Sequence, residues 1–164
     1  MRTPWTLALL VPIVGCSYSA YDPGSLLRAS TLDAPAASIG CLDVGIAPTT
    51  DPSVPVEHPA LRLDVGNSCP HATPVNLGAM VATGLYDTGW VPLQLRDPRG
   101  EVRLATLDGH ALIHEIFEFE PLVPRDRPPS TVCVVLDDIT TPSAMPVRVR
   151  RCVAIQMPEA GDPV

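Results

Sequence analysis

The sequence predicts an all-β domain, an antiparallel two-sheet sandwich of about eight strands, placed behind an export signal. Three observations carry this expectation. Apolar residues alternate with polar ones along a series of short runs, the period of a strand with one buried face. Twenty prolines among 164 residues leave little room for long helices, because proline lacks the amide donor and breaks helix interiors. Five cysteines follow a short apolar N-terminal run, which is cysteine usage suited to an oxidising compartment.

Residues 1–15 read as a leader. Arg2 is its positive end, and residues 6–14 form an apolar run interrupted only by Pro12. That run is too short to cross a bilayer, which takes ~20 apolar residues, and has the length of a signal-peptide core. It ends in Ile13-Val14-Gly15-Cys16, which resembles the lipobox of bacterial lipoproteins. The resemblance implies cleavage before Cys16, a diacylglycerol on its thiol and an acyl group on the new amine. Ser17 after the cysteine implies, by the enteric sorting pattern, delivery to the outer membrane. The alternative is an ordinary secretory leader with a chance cysteine, but Gly15-Cys16-Ser17 fits the usual A-x-A-like site less well.

Cys16 and residues 17–38 are expected to form a lipidated, flexible tether. Ser, Ala, Pro, Gly and Asp dominate there, and Pro23 and Pro35 bracket the one apolar pair, Leu26-Leu27. A short helix packed on the domain is the alternative. Residues 39–157 are expected to be the folded domain and 158–164 a loose tail.

Within the domain the alternating runs are, in order, Leu42, Val44, Ile46; Leu61, Leu63, Val65; Val75, Leu77, Ala79, Val81; Val91, Leu93, Leu95; Val102, Leu104; Ala111, Ile113, Phe117, Phe119; Val132, Val134, Leu136; and Val147, Val149, Val153, Ile155. Turn chemistry separates them at residues 97–100, 108–109 and 141–143. Asp108-Gly109 predicts a type I′ hairpin, whose two central residues need positive φ, and would set Leu104 opposite Ile113 on the core face. Strands with one wet and one dry face suit two packed sheets. The general pattern resembles an immunoglobulin-like Greek key, although no tryptophan lies between cysteines as that fold usually has it. A small barrel is the alternative.

Setting Cys16 aside leaves Cys41, Cys69, Cys133 and Cys152, which allow three pairings. Facing residues in an antiparallel pair share a constant index sum. Cys133 with Cys152 shares its sum with Asp137 and Arg148, and Cys41 with Cys69 shares its sum with Ala47 and Leu63. Both local pairs then fall across neighbouring strands, so Cys41–Cys69 and Cys133–Cys152 are expected. Cys41–Cys152 with Cys69–Cys133 is the rival map.

Recognisable catalytic patterns do not occur: there is no G-x-S-x-G elbow, no H-E-x-x-H and no phosphate-cradling glycine loop. His110 and His114 are four apart, but on a strand that spacing covers ~13 Å, too far for two ligands of one zinc. Asp64, Ser68 and His71 lie close in sequence, yet a triad is defined by geometry. Asp137-Asp138 reads as turn initiation, and Arg148 and Arg150 as a solvated strand face. Glu115 and Arg151 break the apolar period. A β-bulge or edge exposure at each would explain them; without bulges, both face inward and could meet as a buried pair.

All eleven basic residues are arginine, against 18 acidic ones, for a net charge of −7. That sign disfavours nucleic acid, whose affinity comes largely from phosphate neutralisation. No metal or cofactor is expected. The expected partners are the membrane, through lipid on Cys16, and an envelope protein. The function expected is non-enzymatic binding or scaffolding. The alternative is a small hydrolase or metal-handling domain assembled from scattered His and Asp residues.

Overall fold

The computed structural model describes residues 19–49, 58–96, 104–136, 139–140 and 149–155. The leader, Cys16 and its lipobox, Asp137-Asp138, Arg148, Val102, Val147, the turns expected at 97–100 and 141–143 and the tail 158–164 lie outside them. Among the described residues there are eleven strands: β1 Ser19–Ala20, β2 Ala36–Ile39, β3 Leu42–Pro48, β4 Ala60–Asn67, β5 Thr73–Asn76, β6 Val81–Tyr86, β7 Gly89–Arg96, β8 Leu104–Leu107, β9 Ala111–Pro121, β10 Thr131–Val135 and β11 Arg150–Ala154. One helical turn, α1 Ser25–Arg28, lies between β1 and β2, and a 3-10 turn, Leu77–Ala79, separates β5 from β6. Among the described residues, no helix is long and apolar enough to cross a membrane.

Nine strands pair antiparallel in one sheet, in the order β11-β10-β6-β7-β9-β4-β3-β2, with β1 added to the free part of β9; β5 and β8 form a separate ribbon. The sheet curls until its two ends approach, and Arg151 Nε on β11 donates to Ala36 O on β2 at 2.9 Å. The antiparallel all-β class is as the alternation predicts. The pairing passes through one nearly closed, barrel-like sheet, and does not establish the immunoglobulin-like connectivity of two facing sheets.

The inner face is built by the alternation. Leu42, Val44 and Ile46 of β3, Leu61, Leu63 and Val65 of β4, and Phe117 and Phe119 of β9 are fully or almost fully buried, with Val132 and Val134 from β10 and Val153 from β11. Val75, Leu77, Leu107 and Ile139 bring the ribbon into the same core. Burying a side chain of this size contributes ~1.5–3 kcal/mol before ordering costs.

Four local expectations are corrected. First, Asp108-Gly109 does not make a β8–β9 hairpin. β8 pairs with β5, because β9 is already flanked by β4 on one side and by β1 and β7 on the other. The turn that forms has Ala111 N donating to Asp108 O at 3.1 Å, with positive φ at His110 and not at Gly109. Gly109 is needed for space: a Cβ there would stand 2.2 Å from Pro70 O. Leu104 is accordingly exposed, not on the core face.

Second, the run from Val75 to Val81 is not one strand. The 3-10 turn shifts the parity, so Val75 and Leu77 point inward while Val81 is 58% exposed and Ala82 takes the inner position. Third, residues 19–38, expected as tether, carry β1, α1 and the first part of β2. Tyr21 is buried, its hydroxyl donates to Asp43 Oδ2 at 2.7 Å, and Leu26 lies over Gly45. Fourth, there is no bulge at Glu115 or Arg151: the β4–β9 and β10–β11 ladders run unbroken through both. Each holds an inward-parity position and is half-buried.

Candidate functional site

The two disulfides have the expected local connectivity. Cys133 and Cys152 are direct partners in the β10–β11 ladder, with Cα atoms 3.9 Å apart. Cys41 and Cys69 are joined with Cα atoms 5.3 Å apart, but the register that leads to them differs by one from expectation. Leu42 faces Asn67 and Ala47 faces Arg62, which sets Cys41 against Ser68. The chain then turns sharply after Asn67 and brings Cys69 back to Cys41.

That turn is organised by Asn67, a fully buried polar residue at the end of β4. Its Nδ2 donates to the carbonyls of His71 (2.7 Å), Leu107 (3.0 Å) and Asp108 (3.1 Å). Its Oδ1 accepts from Cys69 N at 3.0 Å and from Thr73 Oγ1 at 3.3 Å. One side chain therefore satisfies the loop 68–73 and the end of β8 together, which offsets the cost of burying an amide. Ser68 supports the same corner, with N and Oγ each donating to Cys41 O at 2.8 Å. The His110 amide donates to Asn67 O (3.1 Å) and Cys69 O (3.3 Å).

This corner collects chemistry that sequence spacing scattered. Sγ of Cys41, Sγ of Cys69 and a ring nitrogen of His71 all lie within 4.8 Å of one another, with His71 Nε2 3.8 Å from Cys41 Sγ. The sequence pairs Cys41 with Cys69 and leaves His71 apart from them; the residue that joins all three is Asn67, an amide between a strand and a proline-containing loop.

Asp64, Ser68 and His71 do not come together as a trio. Ser68 is committed to Cys41 O, while Asp64 Oδ1 meets His114 Nδ1 at 2.6 Å across the β4–β9 pair, with Arg62 at 3.1 Å from its other oxygen. His110 sits in the turn before β9, and His114 is exposed on the outer face. A separate cleft of about 250 Å³ lies between the β6–β7 turn and the 122–130 loop, lined by Tyr86, Asp87, Thr88, Arg125, Asp126 and Arg127. Burial pushes the Tyr86 phenol above its ordinary value, and Arg125, over its ring, opposes this.

The outer surface of the sheet is divided. On β3, β4 and β9 it is charged or covered: Arg62, Asp64, His114, Glu118 and Glu120 point outward, and Tyr21 and α1 lie over Asp43, Gly45 and Gly66. On β6, β7, β10 and β11 the outward positions are Val81, Thr83, Leu85, Trp90, Pro92, Gln94, Thr131, Val135, Ala154 and the Cys133–Cys152 bridge, with two charged positions, Arg150 on β11 and, at the end of β7, Arg96, which pairs with Glu118 of β9 at 3.3 Å. Trp90 is 50% exposed, and the Arg150 guanidinium stands over its ring at 4.8 Å.

Compared with protein-family models, curated proteins and solved structures, the chain matches none.

Proposed function

We propose that the chain is an exported bacterial lipoprotein, anchored through Cys16 at the outer membrane, whose disulfide-stapled β domain is a non-enzymatic binding or scaffolding module for another envelope protein. The observation that carries the binding reading is the divided outer surface. The β6, β7, β10 and β11 half offers Trp90, Val81 and Pro92 to solvent beside Arg150, its second arginine, Arg96, being paired with Glu118 at the β9 boundary, whereas the other half is mostly charged or sealed by the N-terminal segment. Exposed apolar surface with an aromatic and an arginine at its centre is the composition of protein contact surfaces. Two disulfides support an oxidising compartment.

The anchor and the domain are close under this reading. The step from Cys16 to Ser19, where β1 begins, spans at most ~11 Å. After cleavage at Cys16 the chain keeps ten arginines against 18 acidic residues, a net −8 that repels anionic headgroups. Lipid, not surface charge, then holds the domain.

Two measurements test the two halves of the proposal. The intact mass of the mature protein should begin at Cys16 and include acyl chains, and Cys16→Ser should leave an uncleaved or detergent-independent protein. An unmodified N-terminus beyond residue 16 overturns the anchor. A photo-crosslinking residue at position 81 should capture a discrete envelope protein in cells, and one at position 62 should not. Equal labelling from both positions overturns the contact surface.

A further inference from the structure

We propose that Cys41, Cys69 and His71 form a redox-gated site for a thiophilic divalent cation of the zinc class, closed while the disulfide stands and open once a dithiol reduces it. Among the described residues this is the one group of three or more potential ligating side chains whose donor atoms lie within 4.8 Å of one another. Two thiolates on a tetrahedral ion with ~2.3 Å Zn–S bonds sit ~3.8 Å apart, so small side-chain rotations adapt the pair. Zinc binds two sulfurs and one imidazole readily, with a fourth position left for solvent.

The loop has supports for its shape besides the disulfide. Asn67 Oδ1 holds the Cys69 amide and Asn67 Nδ2 holds the His71 carbonyl. Ser68 holds the Cys41 carbonyl twice. From the other side Gly109 presses against Pro70 so closely that no Cβ fits, and the His110 amide reaches Cys69 O. The backbone at all three donors is thus held by hydrogen bonds and packing other than the disulfide. Cys41 and Cys69 are half-buried and His71 is exposed, which gives a reductant and an ion access.

The chemistry balances with a dithiol of the kind carried by thioredoxin-like oxidoreductases. Its two sulfurs join in a new disulfide, and its two electrons and two protons pass to Cys41 and Cys69. Both new thiols release their protons to solvent when the cation binds, because the thiolate is the ligand. Exchange with an oxidised disulfide carrier, which accepts the two electrons and takes two protons from solvent, re-forms the Cys41–Cys69 bond and expels the ion.

The test uses the full chain in detergent, reduced anaerobically with dithiothreitol, freed of reductant and titrated with Co²⁺ and then Zn²⁺. One Co²⁺ per chain with thiolate-to-cobalt charge transfer in the near ultraviolet is expected from reduced protein and not from oxidised protein, with Zn²⁺ displacing it. His71→Ala should weaken Co²⁺ at least ~10-fold, no less than the loss of an outer-shell partner costs a metal site. In the wild type, alkylation with mass mapping should show Zn²⁺ protecting Cys41 and Cys69 while the labelling of Cys152 is unchanged. No charge-transfer band, a band indifferent to His71→Ala, or protection mapping to Cys133 and Cys152 overturns the proposal. So does loss of the folded circular-dichroism signal on reduction, since the site requires Asn67 to hold the loop unaided.

Discussion

Asn67 and Gly66, adjacent at the end of β4, do opposite jobs, one inside the sheet and one outside. Removing the Asn67 amide takes a partner from three carbonyls and two donors in this corner, of which the Asp108 carbonyl keeps the Ala111 amide. Asn67→Ala is therefore expected to destabilise by ~3 kcal/mol or more, since each buried polar group left unpaired costs ~1–3 kcal/mol. Urea denaturation with the disulfides intact measures it, and a loss below ~1 kcal/mol would show that water replaces the amide freely. Gly66 lies under the Tyr21 ring, where a Cβ would stand 2.6 Å from the ring carbons. Gly66→Ala should cost ~1–3 kcal/mol, as overpacking does. In a Tyr21→Ala background the same change should cost under ~0.5 kcal/mol, because the three atoms nearest that Cβ all belong to the Tyr21 ring. Additive losses would place the strain elsewhere. Tyr21 also carries a pH signature. Burial, with Asp43 beside the hydroxyl, raises its pKa above the ordinary 10.0. The folded state then keeps its proton while the unfolded chain loses it, so stability is constant below about pH 10 and falls above it. Tyr21→Phe should flatten that alkaline fall, leaving the part due to Tyr86, which is shifted the same way. An unchanged alkaline slope would refute the assignment.

At the scale of elements, what could be read from the sequence depends on whether one rule decided the outcome. β3, β4, β9 and β10 were legible because the large apolar residues that alternate along them are the ones the core buries, as in Leu61, Leu63 and Val65. β8 was not. Asp-Gly is a strong local hairpin signal, but pairing depends on which edge is vacant, and β1 occupies the edge of β9 that β8 needed. β1 itself is two residues long, with no apolar period to announce it. The Val81 reversal has the same character, since a three-residue 3-10 turn inverts every later side chain. For the candidate site, the Cys41–Cys69 pair was legible from near-register arithmetic. The His71 contact was not, because it follows from the turn that Asn67 imposes after the ladder ends. Asp43 ties the segment from Ser19 to Arg28 to β3, accepting from the Tyr21 hydroxyl and from Gly24 N at 3.0 Å, beside the β1–β9 pairing and the packing of α1. Asp43→Ala should release this segment, so trypsin should cut after Arg28 at least several-fold faster while cleavage after Arg62, within β4, stays slow. Equal protection in both proteins would mean that α1 packing alone retains the segment.

At the scale of the whole molecule, the structure is a sheet that nearly closes, and its weakest place is where closure is incomplete. β2 and β11 are the two ends of the strand order, and no ladder joins them. Sheet ends carry unpaired main-chain groups that invite other chains, and closure removes that hazard. Here Arg151 does part of this work. Its Nε donates to Ala36 O on β2, and its Nη1 donates to Arg150 O at 2.9 Å on its own strand, so one guanidinium fastens both sides. This explains why an arginine occupies an inward-parity position between Val149 and Val153 without a bulge: its stem lies along the core and its charged head reaches the seam. The Cys133–Cys152 bridge fixes β11 to β10 and so holds Arg151 opposite the seam. Arg151→Met keeps most of the stem and removes the donors. It should cost ~1.5–3 kcal/mol, the range for a hydrogen bond from a charged group. Arg151→Lys should not restore the loss, because one ammonium cannot reproduce the two-point geometry of the guanidinium. Hydrogen exchange by mass spectrometry on the intact protein gives the decisive readout. In Arg151→Met, peptides covering β2 and β11 should exchange faster while those covering β4 and β9 keep their protection. If all four accelerate together, Arg151 supports the domain as a whole and not its seam; if none does, β2 and β11 are held together without it.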